Sequence, residues 1–187
     1  AGREDPLKSS TLRKAGKLPA DPAQFALEER RIMSSSYAVV NPADGETVRQ
    51  YESITDSALS DAIGEAHAAF ENWTASTTVA ERAAMVQKVA DAHGERREEL
   101  AAIIVREMGK PLADATGEVE FSGSIYAYYA DNAEALLADK PVELAGREGS
   151  AFIRPSSVGA LLGIMPWNFP AYQVARFAAP NLVAGNT

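Results

Sequence analysis

Gly159-Ala-Leu-Leu-Gly-Ile-Met-Pro-Trp-Asn-Phe-Pro-Ala-Tyr-Gln-Val-Ala-Arg-Phe-Ala-Ala-Pro-Asn-Leu-Val-Ala-Gly-Asn-Thr187 is the stretch whose reading decides the fold. From Gly159 to Met165 it is apolar and uncharged, as a strand buried on both faces of a parallel sheet reads. Pro166 ends that run. Phe169-Pro170 then prepares a turn, because the residue before proline avoids the helical region and proline suits the first helical position. A helix follows, and Gly185 stands in the usual place just past its end. A strand whose carboxyl end opens through a tight turn into a helix is where α/β sheets bind ligands. Into that crevice the sequence places Trp167, a flat apolar wall, and Asn168, an uncharged amide able to donate two hydrogen bonds.

Upstream, residues 1–36 mix basic, acidic, Ser and Pro residues without an apolar period, and Met33-Ser-Ser-Ser36 looks like a fresh start. This part is expected to be a disordered or extension leader. Tyr37–Val40 and Thr47–Tyr51 flank Asn41-Pro-Ala-Asp-Gly45, a turn signal that predicts a hairpin. Leu59, Ile63, Ala66, Phe70 and Trp73 recur at helical spacing and predict an amphipathic helix from about Thr55, with Trp73 in the core. Thr78 and Glu81 form a capping box before a helix over Val79–His93 that Gly94 ends, and both His67 and His93 read as surface or capping groups. Glu95–Met108 is a further helix, broken by Gly109-Lys-Pro111. A long helix then runs to about Leu137, with Leu112, Ala115, Val119, Ile125, Tyr126, Tyr129 and Leu136 as apolar contacts and Tyr128 beside them. Val142–Ala145 and Ala151–Arg154 predict a second hairpin around Gly146-Arg-Glu-Gly149. Since a lone hairpin is marginal in water, this one should lie on its own domain or on a partner subunit. The expected divisions are therefore a leader over 1–36, an N-terminal hairpin and helices over 37–138, an oligomerisation-type hairpin over 139–158, and the first strand and helix of a Rossmann-like sheet over 159–187.

Composition narrows the class. The 187 residues are 46% hydrophobic and 24% charged with a formal net charge of −8, ordinary for a globular protein and without the basic stripe that nucleic acid requires. No apolar run approaches the ~20 residues of a membrane span, which makes a cytoplasmic setting the expectation. There is no cysteine, so neither a disulfide nor a thiolate metal site is available, and two histidines do not make a His-rich site. No metal is expected.

Met165-Pro-Trp-Asn-Phe-Pro170, between an apolar strand and a helix ending Ala184-Gly-Asn186, resembles the aldehyde dehydrogenase superfamily. The order upstream agrees: an Asn-Pro-Ala-x-Gly hairpin, the helical run, Glu107-Met-Gly-Lys-Pro111 and Tyr128-Tyr-Ala-Asp-Asn-Ala133. The last two segments look most like bacterial succinate-semialdehyde dehydrogenases, and the resemblance covers Tyr37–Thr187. It implies an α/β fold made of N-terminal helices and hairpins plus the first strand-helix unit of a parallel dinucleotide-binding sheet, truncated relative to the family.

The resemblance also implies a chemistry. In the family a cysteine thiolate attacks an aldehyde carbon and hydride passes to NAD or NADP. Asn168 would be the donor that steadies the developing oxyanion, a contribution of ~10²–10³ in rate. Ile164, Met165, Pro166 and Trp167, with Asn168, would face the cofactor; Phe169 and Arg176 would face the substrate. Arg176 is the only charge in its stretch and lies about two helical turns beyond Asn168. Its guanidinium could grip the distal carboxylate of a semialdehyde, or pair with a core carboxylate instead. The implied partners are a small-molecule aldehyde and further copies of the chain, as dimer or tetramer. The nucleophilic cysteine, the general-base glutamate and the glycine-rich helix start of the family find no match, so the chain alone is expected to be inactive. Two other readings stay open: a non-catalytic fragment serving subunit assembly, and a different dinucleotide enzyme, which the lack of G-x-G-x-x-G disfavours.

Overall fold

The computed structural model describes residues 37–146 and 148–187. The leader expected over 1–36 and Arg147 of the second hairpin loop lie outside the described residues. In chain order the elements are β1 (Tyr37–Val40), β2 (Thr47–Tyr51), α1 (Asp56–Ser76), α2 (Val79–Glu95), α3 (Arg97–Met108), α4 (Leu112–Leu137), β3 (Lys140–Val142), β4 (Ala151–Ile153) and α5 (Pro170–Ala184).

Helix α4 is the axis against which α2, α3 and α5 pack. Val86 of α2, Tyr126 and Ala133 of α4, and Ala175, Ala179 and Val183 of α5 form one buried cluster. Ala101 and Ile104 of α3 with Ala115 and Val119 of α4 form a second, which Ala171 at the start of α5 joins. The many alanines let helix axes approach closely, and Gly123 goes further, since a Cβ there would lie 3.1 Å from His93 Cβ. His93 packs its ring on Tyr126 at 5.1 Å and bonds the Val89 carbonyl through Nδ1, a packing role beyond the capping one expected. Each fully buried valine contributes about 1.5–3 kcal/mol to this core.

Local signals set most boundaries. The capping box forms as expected: Glu81 N–H donates to Thr78 Oγ1 and Thr78 N–H to Glu81 Oε2. Gly109, at φ 75°, ends α3, and Gly185, at φ 96°, ends α5. Gly94, by contrast, does not stop α2. The Arg96 N–H still reaches the Ala92 carbonyl, so the helix continues through Glu95.

Several expectations need correction. The β3 strand lies at Lys140–Val142 rather than Val142–Ala145, because its register pairs Lys140 with Ile153 and Val142 with Ala151. Helix α1 forms where its periodicity says, yet it buries none of its residues fully: Leu59 and Ile63 are exposed and Trp73 is half-buried. On α4, Leu112, Tyr128 and Leu136 are exposed too, for they lie off the stripe that meets α2, α3 and α5. The largest correction concerns Gly159–Met165, which is extended but not a doubly buried strand: Leu162 and Ile164 are 84% and 85% exposed. One side does rest on α5, where a Cβ on Gly163 would come within 2.8 Å of the Phe177 ring. Nothing among the described residues covers the other. Its backbone nevertheless pairs in the parallel sense, since Thr187 N–H donates to Gly159 O at 3.2 Å and Leu161 N–H to Thr187 O at 2.7 Å.

Candidate functional site

The apolar stripe of α4 carries one charge. Ala115, Glu118, Val119, Ser122 and Tyr126 follow helical spacing and are all buried. A carboxylate there must find partners, because an unpaired buried charge is very costly. Glu118, whose side chain is 2% exposed, pairs with Lys110, whose side chain is 9% exposed. Its Oε1 also accepts from the N–H groups of Ala171 at 2.9 Å and Tyr172 at 3.2 Å. These are among the first amides of α5, a helix whose N-cap, Phe169, makes no side-chain capping bond. Glu118 therefore does from a neighbouring helix what an N-cap side chain does from within, and places its negative charge at the positive end of the helix dipole.

Lys110 completes the arrangement. It follows Gly109, whose left-handed backbone turns the chain out of α3, and a Cβ at Gly109 would come 2.8 Å from Pro42 Cγ. Besides Glu118, Lys110 Nζ donates to the Asn168 carbonyl at 3.2 Å and lies 3.8 Å from the centre of the Phe169 ring.

Asn168 sits at the tip of the turn between the extended run and α5, and its side chain is exposed. Two hollows flank the turn. Trp167, 74% exposed, is one wall of a cleft of about 590 Å³ lined also by Val40, Pro42, Ile104, Glu107 and Met108. Phe169 opens onto an apolar cavity of about 290 Å³ with Gly117, Glu118, Phe121 and Tyr172. There Phe121 stacks on Tyr172 at 5.4 Å and Phe169 meets the same ring edge-on at 6.0 Å. Arg176 lies over Tyr172 at 5.3 Å from the ring centre, exposed, and pairs with no carboxylate among the described residues. Of the residues singled out from sequence, Phe169 and Arg176 thus meet around Tyr172, with Asn168 one position away in the chain. Ile164, Met165, Pro166 and Trp167 lead up to the turn; Met165 is half-buried and the others are exposed.

Sequence reasoning missed Lys110 and Glu118 as members of this site. The signal was present: Glu118 falls at the i+3 position from Ala115 on the stripe that Val119 and Tyr126 mark as internal.

Comparison with known proteins bears on the family. The Aldehyde dehydrogenase family profile matches residues 30–187. The chain is 44% identical over 151 residues to "Succinate-semialdehyde dehydrogenase [NADP(+)] 1" of Mycobacterium ulcerans, an alignment covering 80% of this chain and 33% of that protein. It is 41% identical over 170 residues to a succinate-semialdehyde dehydrogenase [NADP(+)] of Deinococcus radiodurans, covering 91% of this chain and 34% of that one. Among solved structures, succinic semialdehyde dehydrogenase from Streptococcus pyogenes in complex with NADP+ superposes with a TM-score of 0.76 at 34% identity, covering 81% of this chain and 33% of that chain. The chain thus spans about a third of the length of the relatives it matches. With a matching profile over most of its length and a shared fold, the chain belongs to the aldehyde dehydrogenase family.

Proposed function

We propose that the chain forms the N-terminal part of an NAD(P)-dependent aldehyde dehydrogenase that oxidises a semialdehyde, with succinate semialdehyde as the first candidate. The observation that carries this reading is the exposed carboxamide of Asn168, at the tip of a turn whose backbone is pinned while the side chain remains free. A neutral donor in that position can bond an aldehyde oxygen as negative charge gathers on it. The apolar cavity beginning at Phe169 would take the carbon chain, and Arg176 at Tyr172 would meet a carboxylate at its far end. Exposed Ile164, Pro166 and Trp167, with half-buried Met165, present an apolar and uncharged surface, which fits the nicotinamide end of a dinucleotide. When bound there, that cofactor supplies the hydride acceptor. The thiolate of the family's reaction must come from outside these 187 residues, which contain no cysteine.

Substrate and site can be tested together in the gene product that carries this segment. Asn168→Ala should lower kcat by ~10²–10³ at unchanged cofactor affinity, and Asn168→Asp should lower it further by opposing like charges. Arg176→Ala should shift the preference for succinate semialdehyde over an uncharged aldehyde of similar length. An unchanged ratio removes the carboxylate role. The relatives' names favour NADP, so NADP and NAD should be compared as acceptors in the same assay.

The β3–β4 hairpin supports self-association as part of the same reading, in a cytoplasmic dimer or tetramer. Its Val142 and Ile153 share one face and Phe152 stands on the other, and all three are exposed, as is Leu144 beside them, apolar surface suited to a second copy of the chain. The same hairpin would serve the alternative of a fragment active only in assembly, and sedimentation of Ile153→Lys and Phe152→Lys variants, one for each face, would test it.

A further inference from the structure

We propose that Lys110 and Glu118 act as a positioning pair for Asn168, an inference that rests on reading Asn168 as the oxyanion donor. The turn carrying Asn168 holds an exposed Trp167 and follows an extended run whose Leu162 and Ile164 are exposed, so side-chain packing on that side holds it only loosely. Its polar ties lead to this pair. Lys110 Nζ bonds the Asn168 carbonyl and covers the Phe169 ring, while Glu118 holds the Ala171 and Tyr172 amides that begin α5. The two side chains are joined and buried. Lys110 fixes the turn at Asn168 itself, and Glu118 fixes the helix start that follows it in the chain. A displacement of ~1 Å at a group bonding a transition-state oxygen can cost ~10² in rate, so control of this kind has a catalytic effect.

The ionic nature of the pair points the same way. Two buried charges add little net stability, and an apolar pair of similar volume commonly folds as well or better. Apolar side chains could fill the space, yet they could neither cap α5 nor hold the Asn168 carbonyl. Stability and positioning therefore separate in the double variant Lys110→Met/Glu118→Leu. It should keep the wild-type melting temperature within a few degrees while amide hydrogen exchange at Ala171 and Tyr172 accelerates at least tenfold, with exchange in α2 unchanged. In the gene product carrying the segment, kcat should fall at least tenfold with the cofactor KM within about twofold. A double variant with wild-type exchange at both amides, or one with wild-type kcat, overturns the proposal. Should it fail to fold, Glu118→Gln read by the same two exchange rates decides: faster exchange supports positioning, unchanged exchange refutes it. The two readings fail separately, because an Asn168→Ala variant of full activity removes the oxyanion role and leaves the exchange result standing.

Discussion

At the scale of single residues, two positions show how local geometry becomes constraint. Gly109 is required both by its φ of 75° and by Pro42, which occupies the place of any Cβ. Gly109→Ala should cost about 1–2 kcal/mol from the left-handed backbone alone, with the clash in addition, measured as a lower denaturation midpoint. Asn186 is buried; its Oδ1 accepts from Val158 N–H at 2.6 Å and Gly159 N–H at 3.0 Å, and its Nδ2 donates to Asn181 Oδ1 at 3.0 Å. Asn186→Ala leaves those donors unpaired, an expected loss of about 1–3 kcal/mol, and amide exchange at Val158 and Gly159 should quicken. Asn186→Asp keeps the acceptor and should lose less. Gly109 was readable as a helix stop, because glycine before Lys-Pro ends a pattern. The contact with Pro42 was not readable, since it joins residues far apart in sequence. Glu118 lies between these cases: its place on an internal stripe was visible, and its partners on two other segments were not.

At the scale of elements, helix limits follow capping chemistry, and that chemistry titrates. The Thr78 backbone and hydroxyl bonds hold the Glu81 carboxyl below its usual range, and the Arg154 guanidinium does the same for Asp139 beside the β3–β4 hairpin. A carboxyl with a lowered folded-state pKa binds fewer protons in the native state than in the unfolded one as pH falls. Its contribution is therefore complete above the ordinary carboxylate range and disappears as the pH drops through the lowered folded value. Arg154→Gln should flatten the acid dependence of hairpin amide exchange, and Thr78→Ala should do so for the first turn of α2. Both groups are exposed, so the changes should be small beside the loss of a core contact. Elements α2 to α5 were legible because capping box, left-handed glycine and proline each act within a few residues. The shift of β3 toward Lys140 was not, because register is settled between strands.

For the molecule as a whole, the exposed apolar run at Val158, Leu162, Ile164 and Trp167, with Leu59 and Ile63 on α1, is larger than a few scattered side chains. The chain on its own should bind a hydrophobic dye in its native state, and a Trp73→Phe variant should show the red-shifted, readily quenched emission of an exposed Trp167. A blue-shifted, unquenched emission would contradict the placement of that side chain. The sequence alone determined the order and type of nearly every element, the turn bearing Asn168 and the family resemblance, since periodicity, caps and short motifs are written in neighbouring residues. Tertiary structure decided what faces what: that Gly159–Met165 is covered on one side only, that α1 leaves Leu59 and Ile63 of its stripe exposed while Ala66, Phe70 and Trp73 are half-buried, and that a glutamate from α4 caps α5 while its lysine partner holds the Asn168 carbonyl. Burial and the bonds of this pair to Asn168 and α5 join residues 58 and 53 positions apart, and no short window of sequence contains both partners.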